Sequence, residues 1–557
     1  MINVHDFIAV VFLLLQFFIS GCLLSFLLSE KTDNEDSSLI PKYLIYGIFL
    51  NVSILQFWHL FFSVNVIITF IIHLAQICFI INYKKSKKYF EILKSFSFLT
   101  WFCFFLFILW ITNLAGGVAH LAPHDSGLYH LPIINWVSSY KIIKGLANLS
   151  FDYGINSNLF LLISSTKSYP NFYSFLWCFN AIFLCSGFLS FFCLPLNYLL
   201  KNKFYNREII FRLILNIPLI HAIYFYYPGT HTDLPVFIVG SILGIEFFKQ
   251  LHDNKNSNFF IPVLIFIGIS IKISFLLFGF SAFVIYLYLM RKRATTFSRL
   301  KFPKLFYLVI FSSAIWLVRG VILSGYLFLP ISSFSFPVPW KVNKEIIDKM
   351  QSDVTSYGIP KHEKNAYFLS ILKDFEIYKV RLLTQHRRVE LLYPMLFGFV
   401  AFLYCLISRK KINYIIFIPI VAQLFLWLYV PKNRYSWFAS WWFCAHFSSF
   451  MLNKNMIKKL NSFTPFLVII ISFSFHQIDR LGIVQPLFRE RVKKEIPVIK
   501  LNEFNTDSGI KLFSPEKSDD RCYDLDLFCT PYPRRGLTLF DPNDVSKGFF
   551  VKTYKKN

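Results

Sequence analysis

The sequence predicts an all-α polytopic membrane protein of about fourteen transmembrane helices, and three observations carry that expectation. Of its 557 residues 55% are hydrophobic and 20% aromatic, with 69 phenylalanines, more apolar surface than a soluble protein of this size could hide. The apolar residues gather in runs of roughly 20, the length that crosses a hydrocarbon core. The 57 Lys and Arg, against 31 Asp and Glu, fall mostly in short clusters between those runs, the pattern of cytoplasmic loops in a multi-pass protein. A net charge of +26 distributed in this way argues against nucleic acid as a partner, which would call for a contiguous basic face.

In chain order, spans are expected at 7–28, 42–62, 64–82, 96–115, 170–196, 209–227, 234–249, 258–271, 273–290, 304–325, 388–408, 413–430, 436–453 and 462–476, or twelve to fourteen once closely spaced pairs are merged. The first run lacks a basic leader and a small-residue cleavage site, so it reads as a span and not as a signal peptide. Basic clusters at Lys84–Lys94, Lys201–Arg212, Arg291–Lys304, Arg409–Lys411 and Lys454–Lys459 are separated from one another by even numbers of spans, so all can face the cytoplasm together. Both termini then lie outside, with external loops at 116–169 and 326–387. The chain divides into a transmembrane domain, 1–476, and an extracytoplasmic C-terminal region, 477–557. The tail opens on a basic stretch, RERVKKEIPVIK, but long segments cross membranes largely regardless of charge.

The first external loop carries HDSGLYH, His124 to His130. Behind it, Leu131, Ile134, Val137, Ile142 and Ile143 form an apolar stripe flanked by Trp136 and Tyr140, which predicts an amphipathic helix over 128–146 at the membrane surface, stopped at Gly145. Asp125 lies near its start. It is either a helix cap or a catalytic carboxylate, and the titratable company of His124, Tyr129 and His130 exceeds what a cap requires.

Further ionisable residues interrupt or border the apolar runs: His231 and Asp233 in YYPGTHTDLP, Lys272 in IFIGISIKIS, Arg319 in AIWLVRGVIL, and Lys432 and Arg434 in VPKNRYSW. A charge at the bilayer centre costs ~2.5–3.5 kcal/mol even on lenient scales, so such groups face a partner or a cavity unless they snorkel to the interface. Under the topology above all map to the outer end. Cations there suit a phosphate head group, and acids suit activation of a hydroxyl. Ten cysteines are present; most lie in apolar runs, but Cys522 and Cys529 stand close together in the polar tail, where an oxidising exterior favours a disulfide. Zinc would need further ligands there. Arg534 and Arg535 follow, as phosphate contacts or as solvated charges. No cofactor is predicted.

Many spans, an acid in a long external loop and basic residues poised for a lipid phosphate resemble the GT-C superfamily of membrane glycosyltransferases. More narrowly, DSGLYHLPIINW, KGLANL, TDLP, IKISFL, VRGVILSGYLFLP and CTPYP resemble, in order, an uncharacterised bacterial multi-span family with a D-x-G-L-Y-H-L external-loop motif. The resemblance implies a GT-C-like bundle in the inner membrane that transfers a sugar from a polyprenyl-phosphate donor to an envelope glycan, lipid or protein on the periplasmic face. It places Asp125 as general base, Asp233 as a second acid supporting acceptor or donor, and Lys272, Arg319 or Arg434 on the leaving phosphate, with His124, Tyr129, His130 and His231 as supporting contacts. A lipid-linked glycan polymerase or ligase, and a non-enzymatic flippase, are the other readings of the same charges. A flippase would line a path through the bilayer, whereas the unusual charges here collect at one end.

Overall fold

A computed structural model describes residues 4–29, 36–117, 124–201, 206–252, 259–293, 303–355, 388–410, 412–430, 432–452, 454–479, 499–516, 520–525, 528–534 and 536–552. The architecture is mostly helical. Among the described residues nine helices are long and apolar enough to cross a membrane: Val4–Leu27, Leu39–Trp58, Phe98–Ala115, Ala181–Leu200, Arg207–Tyr226, Asp233–His252, Ile273–Lys292, Lys304–Ser324 and Arg388–Ile407. The pair Val66–Ile81 and Ser86–Ser95, bent by 93°, makes a tenth if it acts as one span. The remaining expected spans coincide with the shorter apolar helices Phe260–Ile271, Tyr414–Tyr429 and Thr464–Ser474 and with the more polar Asn433–Met451. The break expected at Lys272 is present: its backbone is extended (φ −148°, ψ 123°) and ends the helix before it after twelve residues.

Burial sorts the helices into an inner and an outer set. Ala181–Leu200 is 94% buried along its apolar window, whereas Arg388–Ile407 is 33% buried and exposes Leu396, Phe397, Phe399 and Val400. Such an apolar outer face suits lipid contact. Where hydrophobicity gives no drive between helices, close packing of small residues does the work. A Cβ on Gly47 would lie 1.7 Å from the Phe17 carbonyl oxygen, and one on Gly21 would lie 1.8 Å from that of Tyr43, so Val4–Leu27 and Leu39–Trp58 cross with backbones in contact. Asn51 adds an interhelical bond to Ser20 Oγ at 2.9 Å. In the same manner Gly240 and Gly244 admit the Phe438 and Trp442 rings, and Phe237 stacks on Trp437 at 4.0 Å. This seats Asn433–Met451 against Asp233–His252.

The loop after Phe98–Gly117 departs from expectation. A π-helical turn, Ser126–His130, leads into a helix that ends at Ser139, six residues before Gly145. Leu131 to Val137 are all buried, so this helix is part of the packed interior and does not lie on a surface. The expected surface helix is therefore a packed one, with protein against its polar faces as well as its apolar stripe. The helix stops because Ile142 N–H donates to His59 O at 2.9 Å, pulling the chain away. Gly145, at φ +64°, precedes the short helix Leu146–Leu149 and donates to Ile322 O at 2.8 Å. The described part of the C-terminal region carries two small antiparallel pairs: Leu501–Asn505 with Lys511–Pro515, and Leu537–Leu539 with Phe549–Val551. The basic stretch 489–500 lies largely outside the described residues, as do Arg535 and the second half of the 326–387 loop.

Gly47→Ala is expected to force two backbones apart, lowering stability by about 1–3 kcal/mol. The thermal midpoint of the purified full-length protein in detergent reads this directly; an unchanged midpoint would show that the crossing is not tight.

Candidate functional site

The site is built around Asp233, the first residue of Asp233–His252, whose side chain is buried. The turn before it is held by Asn180, whose Nδ2 donates to Gly229 O at 2.8 Å and to His231 O at 2.9 Å. Lys272, at its helix break, donates from Nζ to Asp233 Oδ1 at 2.5 Å. Arg434, the second residue of Asn433–Met451, places Nη1 3.5 Å from Asp233 Oδ2. A carboxylate this deep persists ionised because two cations meet it, one on each oxygen, and each cation persists because of the carboxylate.

The cations also share an aromatic face. Lys272 Nζ lies 5.0 Å from the Tyr435 ring centre, the Arg434 guanidinium 5.7 Å and Lys432 Nζ 5.9 Å. Three cations thus stand around one ring, two of them on one buried carboxylate. Arg434 Nε is buried with no hydrogen-bond partner among the described residues. A buried donor of this kind, beside two further cations, favours an anionic guest.

A second group faces the same region. His130 Nδ1 lies 2.7 Å from Thr230 Oγ1, which in turn lies 2.8 Å from Ser126 Oγ. Its Nε2 is buried and without a hydrogen-bond partner among the described residues. Burial, reinforced by His231 and Lys272, holds the His130 imidazole well below its usual range, so it is neutral near pH 7. Burial likewise holds His231 down to about 4, although Asp233 and Asp125 pull the other way.

Asp125 differs from Asp233 in every respect. Its side chain is about 40% exposed, and it makes no side-chain cap bond to the turn it precedes, so the capping alternative is not what the structure shows. His124 stands beside it, with Nδ1 3.9 Å from Asp125 Oδ1 and Nε2 2.8 Å from Asp520 Oδ1. The C-terminal region therefore reaches the loop. Tyr523 N–H donates to Gly127 O at 2.8 Å, and a Cβ on Gly127 would lie 2.9 Å from the Tyr523 ring. Asp524 accepts from Asn135 at 2.7 Å and from Tyr173 at 2.5 Å. Cys522 and Cys529 are joined by a disulfide within this docked segment. Tyr129 is pushed well above its usual range by burial and by Asp125.

Asp152 belongs to this neighbourhood although 27 residues separate it from Asp125 in the chain. Burial, then Asp125, push its carboxyl up to about 6, while Arg534 opposes the shift. Arg534 is held down to about 10 by burial and donates to Ala147 O at 3.3 Å. Among the described residues no three His, Cys, Asp or Glu are grouped as a metal site.

Arg319 is placed elsewhere. Its Nη1 donates to His59 Nδ1 at 2.8 Å and its Nε to Asn156 Oδ1 at 3.2 Å, and it is buried. His59 Nε2 can then donate to Tyr140 O at 3.2 Å, which makes the set a brace between the 124–157 segment and Lys304–Ser324. Sequence reasoning did not single out Glu390. It is fully buried, accepts from Tyr226 OH at 2.5 Å and lies 3.5 Å from His221 Nε2. Its one signal is an acid at the start of an apolar run. Thr230, Tyr435 and Asp152 carried no signal of their own.

Asp233→Asn leaves Lys272 and Arg434 facing a neutral amide, and a loss of about 3–5 kcal/mol is expected, as for a broken buried pair; a thermal midpoint equal to wild type would contradict this. For Asp152 the folded-state pKa of about 6 exceeds the ordinary 3.8, so between those values the folded protein binds more protons and loses stability as pH rises. Asp152→Asn is therefore expected to raise the thermal midpoint above pH 6 and to leave it unchanged below pH 3.8. A pH-independent difference would place the effect elsewhere.

No curated protein and no solved structure matches the chain. The family described as "Domain of unknown function (DUF8201)" matches residues 4–439, which include Asp125, Asp233, Lys272 and Arg434 but not the C-terminal region. The chain belongs to this family.

Proposed function

We propose that the chain is an integral-membrane glycosyltransferase, moving a sugar from a polyprenyl-phosphate donor to a cell-envelope acceptor on the outer face of the bacterial inner membrane. The observation that carries this reading is one accessible carboxylate set beside a cluster of three cations, in which Arg434 Nε is buried with no hydrogen-bond partner among the described residues. Asp125 lies within electrostatic reach of His231 and Lys432, so a substrate spanning carboxylate and cations needs a hydroxyl at one end and a phosphate at the other.

In this reading Asp125 accepts the proton of the acceptor hydroxyl as that oxygen attacks the anomeric carbon. The bond between that carbon and the phosphate oxygen breaks with inversion, and the electron pair leaves on polyprenyl phosphate. Lys272, Lys432 and Arg434 meet the charge that develops on the leaving group, and Asp233 fixes two of them in place beforehand. Neutral His130, with its open Nε2, contacts the sugar or its phosphate without carrying a charge of its own. Arg319 braces the loop and contributes no phosphate contact.

Asp125→Asn is expected to lower sugar transfer from polyprenyl-phosphate donors by about 10²–10⁴-fold with the thermal midpoint unchanged, because the side chain is half-exposed and caps nothing. Full turnover in a folded Asp125→Asn protein would overturn the general-base role.

A further inference from the structure

The helix that begins at Asp233 ends in a second polar region. Lys249 lies about 24 Å from Asp233 along the axis at 1.5 Å per residue, so this region sits at the opposite end of the bundle. A cavity of about 170 Å³ opens there, lined among others by Asp36, Lys42, Ser190, Arg212, Glu246 and Lys249. That is several times the room one water needs. Five ionisable side chains thus line one cavity within an otherwise apolar helix bundle.

The charges are held in place by the protein. Arg212 is nearly fully buried; its Nε donates to Glu208 Oε1 at 2.8 Å, its Nη2 lies 2.7 Å from the same oxygen, and its Nη1 donates to Ser190 O at 2.9 Å. Ser190 lies in a π-helical segment, Leu189–Cys193, a distortion common at functional sites. Lys249 Nζ lies 3.2 Å from Glu246 Oε1. Lys42 Nζ lies 4.8 Å from the Tyr46 ring centre and 5.9 Å from that of Phe260, which also lines the cavity. Asp36 Oδ1 accepts from Ser38 N–H at 2.9 Å.

The cavity wall thus carries both signs, three cations from three different helices and two carboxylates. Three cations converging from separate directions suit a tetrahedral phosphate, whose oxygens accept on several sides. Two carboxylates suit a group with several N–H donors, which a primary ammonium has and a quaternary one lacks. We infer that this cavity binds a phosphoethanolamine-type zwitterion, with the phosphate on Arg212, Lys249 and Lys42 and the ammonium on Asp36 and Glu246. Such a group comes either from a phosphatidylethanolamine head group in the adjacent leaflet or from the soluble phosphoester. The site lies apart from the Asp125 and Asp233 region and does not depend on what that region does.

The test is binding to the purified full-length protein in detergent, followed by thermal midpoint and native mass spectrometry. The probes are O-phosphoethanolamine, dihexanoyl phosphatidylethanolamine and their choline counterparts. Saturable binding of either ethanolamine compound, with the choline compounds at least about tenfold weaker, upholds the site. Binding of the lipid alone identifies the membrane as the source, and binding of both shows that the head group suffices. Ile242→Phe fills the cavity without touching a charge and is expected to abolish binding, and Glu246→Gln, which keeps the volume, is expected to weaken it at least about tenfold if Ile242→Phe does not fold. No saturable binding of either ethanolamine compound would overturn the inference. So would equal binding of the choline compounds, or binding unchanged in the folded variants.

Discussion

The pairing of Asp233 with Lys272 and Arg434 is the constraint on which the rest of this molecule depends. It ties the start of Asp233–His252 to the break after Phe260–Ile271 and to the start of Asn433–Met451. Each of the three groups would be expelled from the bundle without the others. Their mutual presence fixes the break after Phe260–Ile271 and the entry of Asn433–Met451, and it leaves Tyr435 under three cations. Gly240 and Gly244 make the pairing geometrically available by letting the Phe438 and Trp442 rings close onto the helix that Asp233 begins.

The exposed Asp125 gains its setting differently, from elements outside the membrane-grade helices. The loop that carries it is packed from within by Leu131 to Val137 and from outside by the C-terminal region, through Tyr523 on Gly127 and Asp524 on Asn135 and Tyr173. Partly buried cations and an accessible carboxylate give the region a polarity that a simple structural brace does not need. The Arg319, His59 and Asn156 set is such a brace: the guanidinium bonds to an amide and an imidazole of the protein itself.

Much of this was legible because charges are rare in apolar sequence. Asp233, Lys272 and Arg434 stand out in a string of Phe, Ile and Leu, and the structure brings those three together. What sequence could not give was who pairs with whom. Arg319 stands out as clearly as Lys272, yet it meets His59 instead of Asp233. Asp152 looks like any loop acid, and its proximity to Asp125 arises only when the loop folds back on itself. The apolar stripe over 131–143 announces a buried face but says nothing of what covers the other faces, so a packed helix passed for a surface one. Hydropathy likewise marks the break at Lys272 but does not show that Val66–Ile81 bends away from its continuation. The tail's two small β-pairs went unforeseen because their strands are only three to five residues long.

The central claim is that the Asp233 cluster receives the phosphate of a polyprenyl lipid. The most direct measurement is photo-crosslinking of the full-length protein in liposomes with a polyprenyl phosphate bearing the reactive group next to the phosphate, followed by peptide mapping. The account predicts labelling of the segments around His231–Asp233, Lys272 and Lys432–Tyr435, competed away by unlabelled polyprenyl phosphate. Competable labelling confined to other segments, or none above that of a neutral polyprenol probe, would contradict it.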